Sequence, residues 1–181
     1  MGAAGGLGHL GIQYAKAMGM RVIALDVGEK SRQYCLSLGA EFAYDVTTPG
    51  YIEEVNTITA GGGHGVLCLA TSPKAFAASI QMARRKGTVV CVGLPAGGFD
   101  TPIFEVVLKR ITIRGSIVGT RKDLVETLDI ASRGLVKCSV ELGNIENINE
   151  IFDRLRGGQI NGRVVLDISG DCLECGQSHQ K

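Results

Sequence analysis

The chain opens with a glycine-rich segment, Gly2 to Gly8, which stands directly ahead of the helix-period stretch HLGIQYAKAMG. Its glycines read G-x-x-G-G-x-G, with one residue more in the first gap than the common G-x-G-x-x-G pattern. Glycines at such a turn permit a tight bend, a close approach of the backbone to a pyrophosphate, and close packing of the helix on a sheet. The free N–H groups and the positive end of the helix dipole favour a phosphate. The segment therefore predicts a dinucleotide-binding loop, with a flexible turn as the alternative.

An acidic residue follows at the spacing that such a loop requires. The apolar run RVIALD ends at Asp26, roughly twenty residues beyond the glycines. A carboxylate there can accept hydrogen bonds from the adenosine ribose hydroxyls, and it would repel a ribose 2′-phosphate. Asp26 therefore favours NAD over NADP. A turn residue at the end of a strand is the alternative interpretation.

Short apolar runs alternate with helix-period segments along the chain. The predicted strands are RVIALD (21–26), FAYD (42–45), GVLCLA (65–70), TVVCVG (88–93), ITIRGSIVG (111–119) and RVVLDIS (163–169). The predicted helices follow the glycine segment and lie in SRQYCLSLGA, YIEEVNTITAGGG, PKAFAASIQMARRKG, RKDLVETLDIASRG and NINEIFDRLRGG. Continuous apolar runs are typical of strands buried on both faces. The alternation predicts an α/β fold with a doubly wound parallel sheet.

The periodic pattern stops near residue 168, which divides the chain into one main domain (1–168) and a polar tail (169–181). We expect the tail to be dispensable for folding, because it lacks an apolar period. Cys172, Cys175 and His179 have the spacing C-x-x-C-x-x-x-H and could offer three ligands to zinc. No second ligand pair accompanies them, so we interpret this segment as a polar chain end and predict no metal site.

Composition argues against two classes of partner. Nineteen Lys and Arg against eighteen Asp and Glu leave a formal net charge of +1, which offers no attraction for nucleic acid. The segment ARRKG, from Arg84 to Lys86, is interpreted as a solvated helix end. No apolar stretch approaches the ~18 residues of a membrane span, so no membrane partner is predicted. Cysteines in apolar or helical patterns indicate a reducing compartment, and we expect a cytoplasmic location.

Several motifs together carry a family resemblance. They are MGAAGGLGHLGIQYAKAMGMRVIALD, GLPAGG, ITIRGSIVGTRKDL, GLVKC and GQINGRVVLD. In this order they resemble the C-terminal cofactor half of zinc-dependent medium-chain alcohol dehydrogenases, most closely the fungal tetrameric type. The resemblance covers Gly2 to about Ile168 and implies a Rossmann-type domain that binds NAD. In the intact family the reaction is hydride transfer between a short primary alcohol and NAD. Its implied partners are NAD(H) and a small alcohol or aldehyde, with a possible homo-oligomer.

The resemblance also implies cofactor contacts. Contacts to the pyrophosphate fall on Gly2, Ala3, Ala4, Gly5, Gly6, Leu7 and Gly8, and contacts to the adenosine ribose on Asp26 and Lys30. The nicotinamide side falls on Val92, Gly93, Leu94, Ser116 and Val118, and an arginine near the phosphates on Arg163. Alternatives stay open for four of these residues. Lys30 could be surface at a helix start, Val92 and Val118 could be core, and Arg163 could be a charge flanking a strand.

The departures from the family concern zinc and catalysis. Family members hold a catalytic zinc with Cys, His and acidic side chains of an N-terminal domain, and these ligands have no counterpart in this sequence. His9 and His64 have no partner ligands at metal spacing. We therefore predict no catalytic and no metal-binding residue in this chain.

The predicted sheet lacks its first strand, which is the central one in the order 3-2-1-4-5-6. The strands at 21–26 and 65–70 would then lose their shared neighbour, and we infer a truncated product, a pseudogene-like copy or a mistaken start site. The leading function hypothesis is a cofactor-binding portion of an NAD-dependent alcohol dehydrogenase that is inactive alone. A non-catalytic nucleotide-binding or subunit-interaction module is the alternative. A zinc-free quinone reductase relative is less favoured, because GLVKC and GQINGRVV follow the zinc enzymes.

Overall fold

The computed structural model describes residues 1–168. The predicted tail, with Cys172, Cys175 and His179, lies outside the described residues. The strands are β1 (Ile23–Asp26), β2 (Phe42–Asp45), β3 (Gly63–Cys68), β4 (Ala83–Cys91), β5 (Thr112–Gly115), β6 (Val140–Asn144) and β7 (Arg163–Asp167). The α-helices are α1 (Gly8–Ala17), α2 (Glu29–Ser37), α3 (Tyr51–Ile58), α4 (Pro73–Gln81), α5 (Ile103–Lys109), α6 (Arg121–Ser132) and α7 (Ile148–Arg156).

All strand pairs between these elements are parallel, which confirms the predicted α/β fold class. β1 pairs with β2, with Ile23 opposite Phe42 and Asp26 opposite Asp45. β3, β4 and β5 form a three-stranded unit in that order, and β6 pairs with β7 separately. β1 and β3 are not paired with each other. The order β2-β1 followed by β3-β4-β5 matches a doubly wound sheet in which the position between β1 and β3 is open.

The local sequence explains where the helices begin. Pro73 stands in the first turn of α4, where its missing N–H costs nothing. Thr120 and Asp123 form a capping box at the start of α6, each side chain accepting from the other residue's backbone N–H. α1 begins without a side-chain cap. The N–H groups of its first turn are therefore not taken up by a capping side chain.

The core has two parts, one on each side of the sheet. The larger cluster includes Val55, Phe76, Ile80, Met82 and Val89. The smaller one packs α1 and α2 on β1 and β2, and it includes Ala3, Ala4, Ile12, Ala24, Cys35 and Ala43. Because Ala3 and Ala4 belong to this second cluster, the glycine-rich segment is anchored in the core.

Three segments differ from the sequence-based expectations. The segment ARRKG belongs to β4 rather than to a helix end, and a register shift between Gly63 and Gly65 on the neighbouring strand accommodates it. α5 and β6 were not predicted. The strand predicted over 111–119 is confined to β5, four residues long. Within residues 1–168, no helix is long and apolar enough to cross a membrane.

Candidate cofactor site

The glycine loop, residues Gly2 to Gly8, turns tightly over the carboxyl end of β1. The N–H groups of Gly2 and Ala3 both donate to Leu25 O, at 3.0 and 3.2 Å. Gly2 has a φ of +71°, which favours glycine. A Cβ on Gly8 would collide with the backbone of Gly2 and Ala3. The loop therefore folds back on itself so closely that its last position has no room for a side chain.

Asp26 lies against the glycine loop, as the spacing in the sequence predicts. One carboxylate oxygen accepts from the Ala4 N–H at 2.6 Å, and the other from the Val27 N–H at 2.7 Å. The side chain is half-buried at the end of β1. A carboxylate has about four lone-pair positions, so these two bonds leave acceptor capacity for ribose hydroxyls.

Arg163 reaches the same loop from the far end of the chain. Its guanidinium occupies the position that a Cβ on Gly6 would need. The segment that carries it is fixed by two backbone bonds, from Gly162 N–H to Ala4 O at 2.9 Å and from Arg163 N–H to Ser139 O at 3.0 Å. A positive group thus lies above the loop where the resemblance implies a pyrophosphate.

His9 has a role that the sequence did not reveal. Its ring is fully buried, with Nδ1 3.1 Å from Gly5 O and Nε2 3.2 Å from the Ser139 backbone nitrogen. Ser139 N–H donates to Nε2, so Nδ1 carries the proton and donates to Gly5 O. His9 therefore connects the glycine loop to the segment before β6. Its position one residue after the loop was the only sequence signal.

A cavity of about 410 Å³ lies beside the end of β1. Its lining residues are Val27, Lys30, Ser31, Arg154, Gly158, Gln159 and Asn161. Of these, only Lys30 was predicted as a site residue. Arg154 forms a two-bond pair with Glu141, at 2.7 and 2.8 Å, and this pair lowers the pKa of Glu141. In the sequence, only the paired glycines after α7 pointed to this side of the cavity. They end the helix, and Gly158 lines the cavity.

The residues predicted to face the nicotinamide lie at the carboxyl ends of β4 and β5. The N–H groups of Val92 and Gly93 both donate to Cys68 O at 3.0 Å. A Cβ on Gly93 would collide with Ala70 O, so the chain passes this point in close contact. Leu94 is 81% exposed. These residues line the same sheet edge as the glycine loop.

The segment after β5 is held at its start and exposed beyond it. Ser116 N–H donates to Cys91 O at 3.0 Å. Val118 has a φ of +42°, which is strained for a β-branched residue, and is 94% exposed. The core alternative for Val118 is therefore wrong. Strained, exposed backbone at a ligand edge is typical of a contact that a bound molecule completes.

The groups present fit a dinucleotide better than a metal. The glycine loop, the α1 N-terminus and Arg163 together suit a pyrophosphate. Among residues 1–168, no group of three His, Cys, Asp or Glu side chains could hold a metal ion. Burial raises the pKa of the Cys35 thiol to about 12, which keeps it protonated.

Comparison with known proteins identifies the family. The sequence pattern of the zinc-binding dehydrogenases matches residues 6–133. The chain belongs to the zinc-binding dehydrogenase family. An alcohol dehydrogenase of Rhizobium meliloti (strain 1021) is 51% identical over 166 residues, which are 92% of this chain and 48% of the relative. The chain spans about half the length of the curated relatives it matches.

Solved structures confirm the Rossmann-type fold. The alcohol dehydrogenase of the archaeon Aeropyrum pernix superposes with a TM-score of 0.84 at 30% identity, over 90% of this chain and 47% of that one. Acetophenone reductase from Geotrichum candidum, solved in complex with NAD, gives 0.79 at 30% identity, over 93% and 48%. In both cases the match covers about half of the solved chain.

Proposed function

We propose that this chain is the cofactor-binding portion of an NAD-dependent alcohol dehydrogenase. The observation that carries the proposal is the contact between the glycine loop and Asp26, because it joins a phosphate-binding turn to a ribose acceptor at one sheet edge. In the intact family the transfer of hydride is between a short primary alcohol and NAD. We further propose that residues 1–168 form the NAD-binding domain, followed by the tail at 169–181.

Each group of residues at this site would bind a different part of NAD. The loop N–H groups and Arg163 would bind the pyrophosphate, and Asp26 and Lys30 would bind the adenosine ribose. The Lys30 cavity would then be continuous with the adenosine end of the cofactor. Val92, Gly93, Leu94, Ser116 and Val118 would hold the nicotinamide. Bound NAD would supply the hydride acceptor, and these residues would orient it.

The choice between NAD and NADP provides the first test. We expect the unaltered chain to bind NADH more tightly than NADPH in a titration of nucleotide fluorescence. Asp26→Ser should narrow that preference by ~1–3 kcal/mol, the magnitude of a charge-assisted hydrogen bond. Asp45→Ser is the matched control, since Asp45 ends β2 directly opposite Asp26. Equal affinity of the unaltered chain for the two nucleotides would contradict the proposal.

Turnover provides the second test. We propose that residues 1–181 alone do not oxidise alcohols, because no group of metal ligands is assembled in the described part of the chain. Purified protein supplied with NAD, zinc and a short primary alcohol should produce no NADH absorbance above a buffer control. Sustained NADH formation that survives removal of host dehydrogenases would show that the chain is catalytic by itself.

An exposed apolar surface supports the alternative of a subunit-interaction module. This outer apolar face consists of Ile103, Phe104, Val107 and Leu108, which are neighbours on α5 and are all exposed. Contiguous exposed apolar residues on an otherwise folded domain mark a protein contact. We propose a homo-oligomer formed through this face. In this alternative, the protein would bind a nucleotide at the glycine loop and oligomerise through the outer apolar face, without catalysing a reaction.

Three narrower proposals remain from the sequence. The fungal tetrameric subtype rests on the motifs quoted above, whereas the Rhizobium relative at 51% identity is bacterial. A cytoplasmic location rests on the scattered cysteines, of which Cys35 and Cys68 are buried and unpaired. The absence of nucleic-acid and membrane partners rests on the near-neutral charge and the lack of a long apolar stretch.

A further inference from the structure

Two polar side chains of α1 hold the segment that precedes β6. His9 and Gln13 are four residues apart, so both project from the same face of the helix. Gln13 Nε2 donates to Lys137 O at 3.0 Å, and Gln13 Oε1 accepts from Lys137 N–H at 2.9 Å. His9 Nε2 accepts from Ser139 N–H at 3.2 Å. These two side chains, here called the α1 clamp, thus bind backbone that lies 124 and 130 positions further along the chain.

The side chains of the α1 clamp are also held by each other and by the glycine loop. Gln13 Nε2 donates a second bond to His9 O at 2.9 Å, and His9 Nδ1 donates to Gly5 O at 3.1 Å. A primary amide has two N–H donors, and both are used here. The His9 ring is fully buried. One continuous network of hydrogen bonds therefore connects the glycine loop, α1 and the segment 137–139.

Ser139 extends this network to the start of β7. Its carbonyl oxygen accepts from Arg163 N–H at 3.0 Å, and Val140 lies opposite Arg163 in the parallel pair of β6 and β7. A Cβ on Gly162 would lie 2.6 Å from Ser139 O, so the two segments are in close contact. The backbone of Arg163 is therefore fixed relative to Ser139 and, through the α1 clamp, relative to α1.

The location of the Arg163 guanidinium depends on this backbone. The guanidinium lies over the glycine loop, at the place that a Cβ on Gly6 would need. Arg163 is exposed, so packing contributes little to holding its side chain there. Charge-assisted hydrogen bonds to a phosphate weaken steeply when their distance and angle leave the ideal range. The position of the β7 start relative to α1 therefore decides whether Arg163 and the loop N–H groups can bind the same phosphate.

We propose that His9 and Gln13 are positioning residues, which act through the segment 137–139 to hold Arg163 over the glycine loop, where it can bind the cofactor phosphates. The inference rests on the proposed function, which assigns the pyrophosphate to this loop. Neither side chain of the α1 clamp is assigned a contact with the cofactor. A role in stability alone would not depend on Arg163, whereas a positioning role requires it.

The first measurement needs no nucleotide. Gln13→Ala removes the amide of the α1 clamp and introduces a strong helix former, so the chain should still fold. Hydrogen exchange of the full chain, followed by NMR, should show roughly three- to tenfold faster exchange of the Gly162 and Arg163 amides, the effect of losing a hydrogen bond. Gln33→Ala is the matched control, because it removes an exposed amide from helix α2. Exchange of the two amides should be unchanged in the control.

The second measurement is a titration of NADH fluorescence with the full chain. Gln13→Ala should weaken NADH binding roughly three- to tenfold. In an Arg163→Gln background the same substitution should cause no further loss, because the α1 clamp acts through Arg163. The Oε1 of His9→Gln can replace Nε2 as the acceptor for Ser139 N–H, whereas the shorter side chain of His9→Asn reaches only as far as Nδ1. His9→Gln should therefore bind NADH more tightly than His9→Asn.

The outcomes separate this inference from the proposed function. Unchanged exchange of the Gly162 and Arg163 amides in Gln13→Ala would overturn the inference. An equal loss of NADH affinity from Gln13→Ala with and without Arg163, or equal affinities of His9→Gln and His9→Asn, would also overturn it. If the unaltered chain bound no NADH, the proposed function would be contradicted, and the exchange of the two amides would still decide whether the α1 clamp positions Arg163.

Discussion

The cofactor edge, formed by the glycine loop and Asp26, and the outer apolar face of α5 differ in how far the chain completes its own contacts. At the cofactor edge, Leu25, Asp26 and Gly162 provide hydrogen-bond partners for the glycine loop. At the outer apolar face, Ile103 and Phe104 are 78% and 76% exposed, and α5 buries no residue. The comparison sets a site whose hydrogen bonds are completed within one chain against an apolar surface that is exposed in the described part of the chain, which is the pattern expected of a protein contact.

The largest effect is expected from a variant that disrupts the glycine loop at Gly8. Gly8→Ala should abolish nucleotide binding and lower the free energy of unfolding by about 4 kcal/mol, because the new Cβ meets fixed backbone of Gly2 and Ala3. Gly6→Ala is the control for stability, since its Cβ meets the flexible end of Arg163 and should lower the free energy of unfolding far less. Titration with NADH and urea denaturation measure both. Equal losses for the two variants would mean that the close turn at Gly8 is unimportant.

Replacement of His9 tests whether its hydrogen bonds to Gly5 and Ser139 hold the glycine loop in place. His9→Ala removes a buried ring and its bonds to Gly5 and Ser139, and it should cost about 2–3 kcal/mol of unfolding free energy. His64→Ala changes an exposed side chain and should stay within ~0.5 kcal/mol. Urea denaturation gives both values. A His9 variant as stable as the His64 variant would refute this role.

A charge introduced on the outer apolar face tests whether this face forms a contact between subunits. Phe104→Glu should convert an oligomer to monomers, because a buried carboxylate in the contact is costly. The unfolding free energy of the monomer should change by less than ~0.5 kcal/mol, since Phe104 is exposed. Met18→Glu changes an exposed apolar residue of the α1 end and should leave the mass unchanged. Sedimentation velocity measures the mass, and a monomeric unaltered chain would contradict the prediction.

The smallest expected effect concerns acid stability at the start of α2. Hydrogen bonds from Arg32 and Gln33 lower the pKa of Glu29 from 4.5 to about 2. The charged Glu29 therefore stabilises the folded state above pH 4.5, and this contribution is lost as the pH falls toward 2. Glu29→Gln should make stability depend less on pH within that window. Glu53→Gln, in the first turn of α3, is the control, and a larger change for it would show that the Glu29 pair is irrelevant.

Much of the fold could be predicted because several strands are short apolar runs in the sequence. FAYD coincides with β2, and RVIALD contains β1. α5 escaped prediction because IFEVVLK is apolar on several sides. In the structure only Val106 packs against the core, and the other apolar side chains of the helix are exposed. β6 escaped because it pairs only with β7 and needs no continuous apolar run. Periodicity reports burial, so elements without burial give no signal.

The residues of the candidate site also divide into those that the sequence could predict and those that it could not. The proximity of Asp26 to the glycine loop was predictable, since a strand of fixed rise connects the loop helix to the acid. The positions of Arg154 and Asn161 in the Lys30 cavity were not, because they depend on how α7 and β7 return to β1. His9 was considered only as a metal ligand in the sequence. Its bond to Gly5 is local, but its bond to Ser139 is a contact across 130 positions.

The hydrogen bond from Gly162 to Ala4 also sets an order in time. The loop that contains Ala4 is synthesised before its partner on Gly162, which follows roughly 160 residues later, about 8–32 s at ~5–20 residues per second. During that interval the loop can collapse on Leu25 and Asp26 but not on the segment that carries Arg163. The glycine loop therefore completes its contacts only after Gly162 has been synthesised.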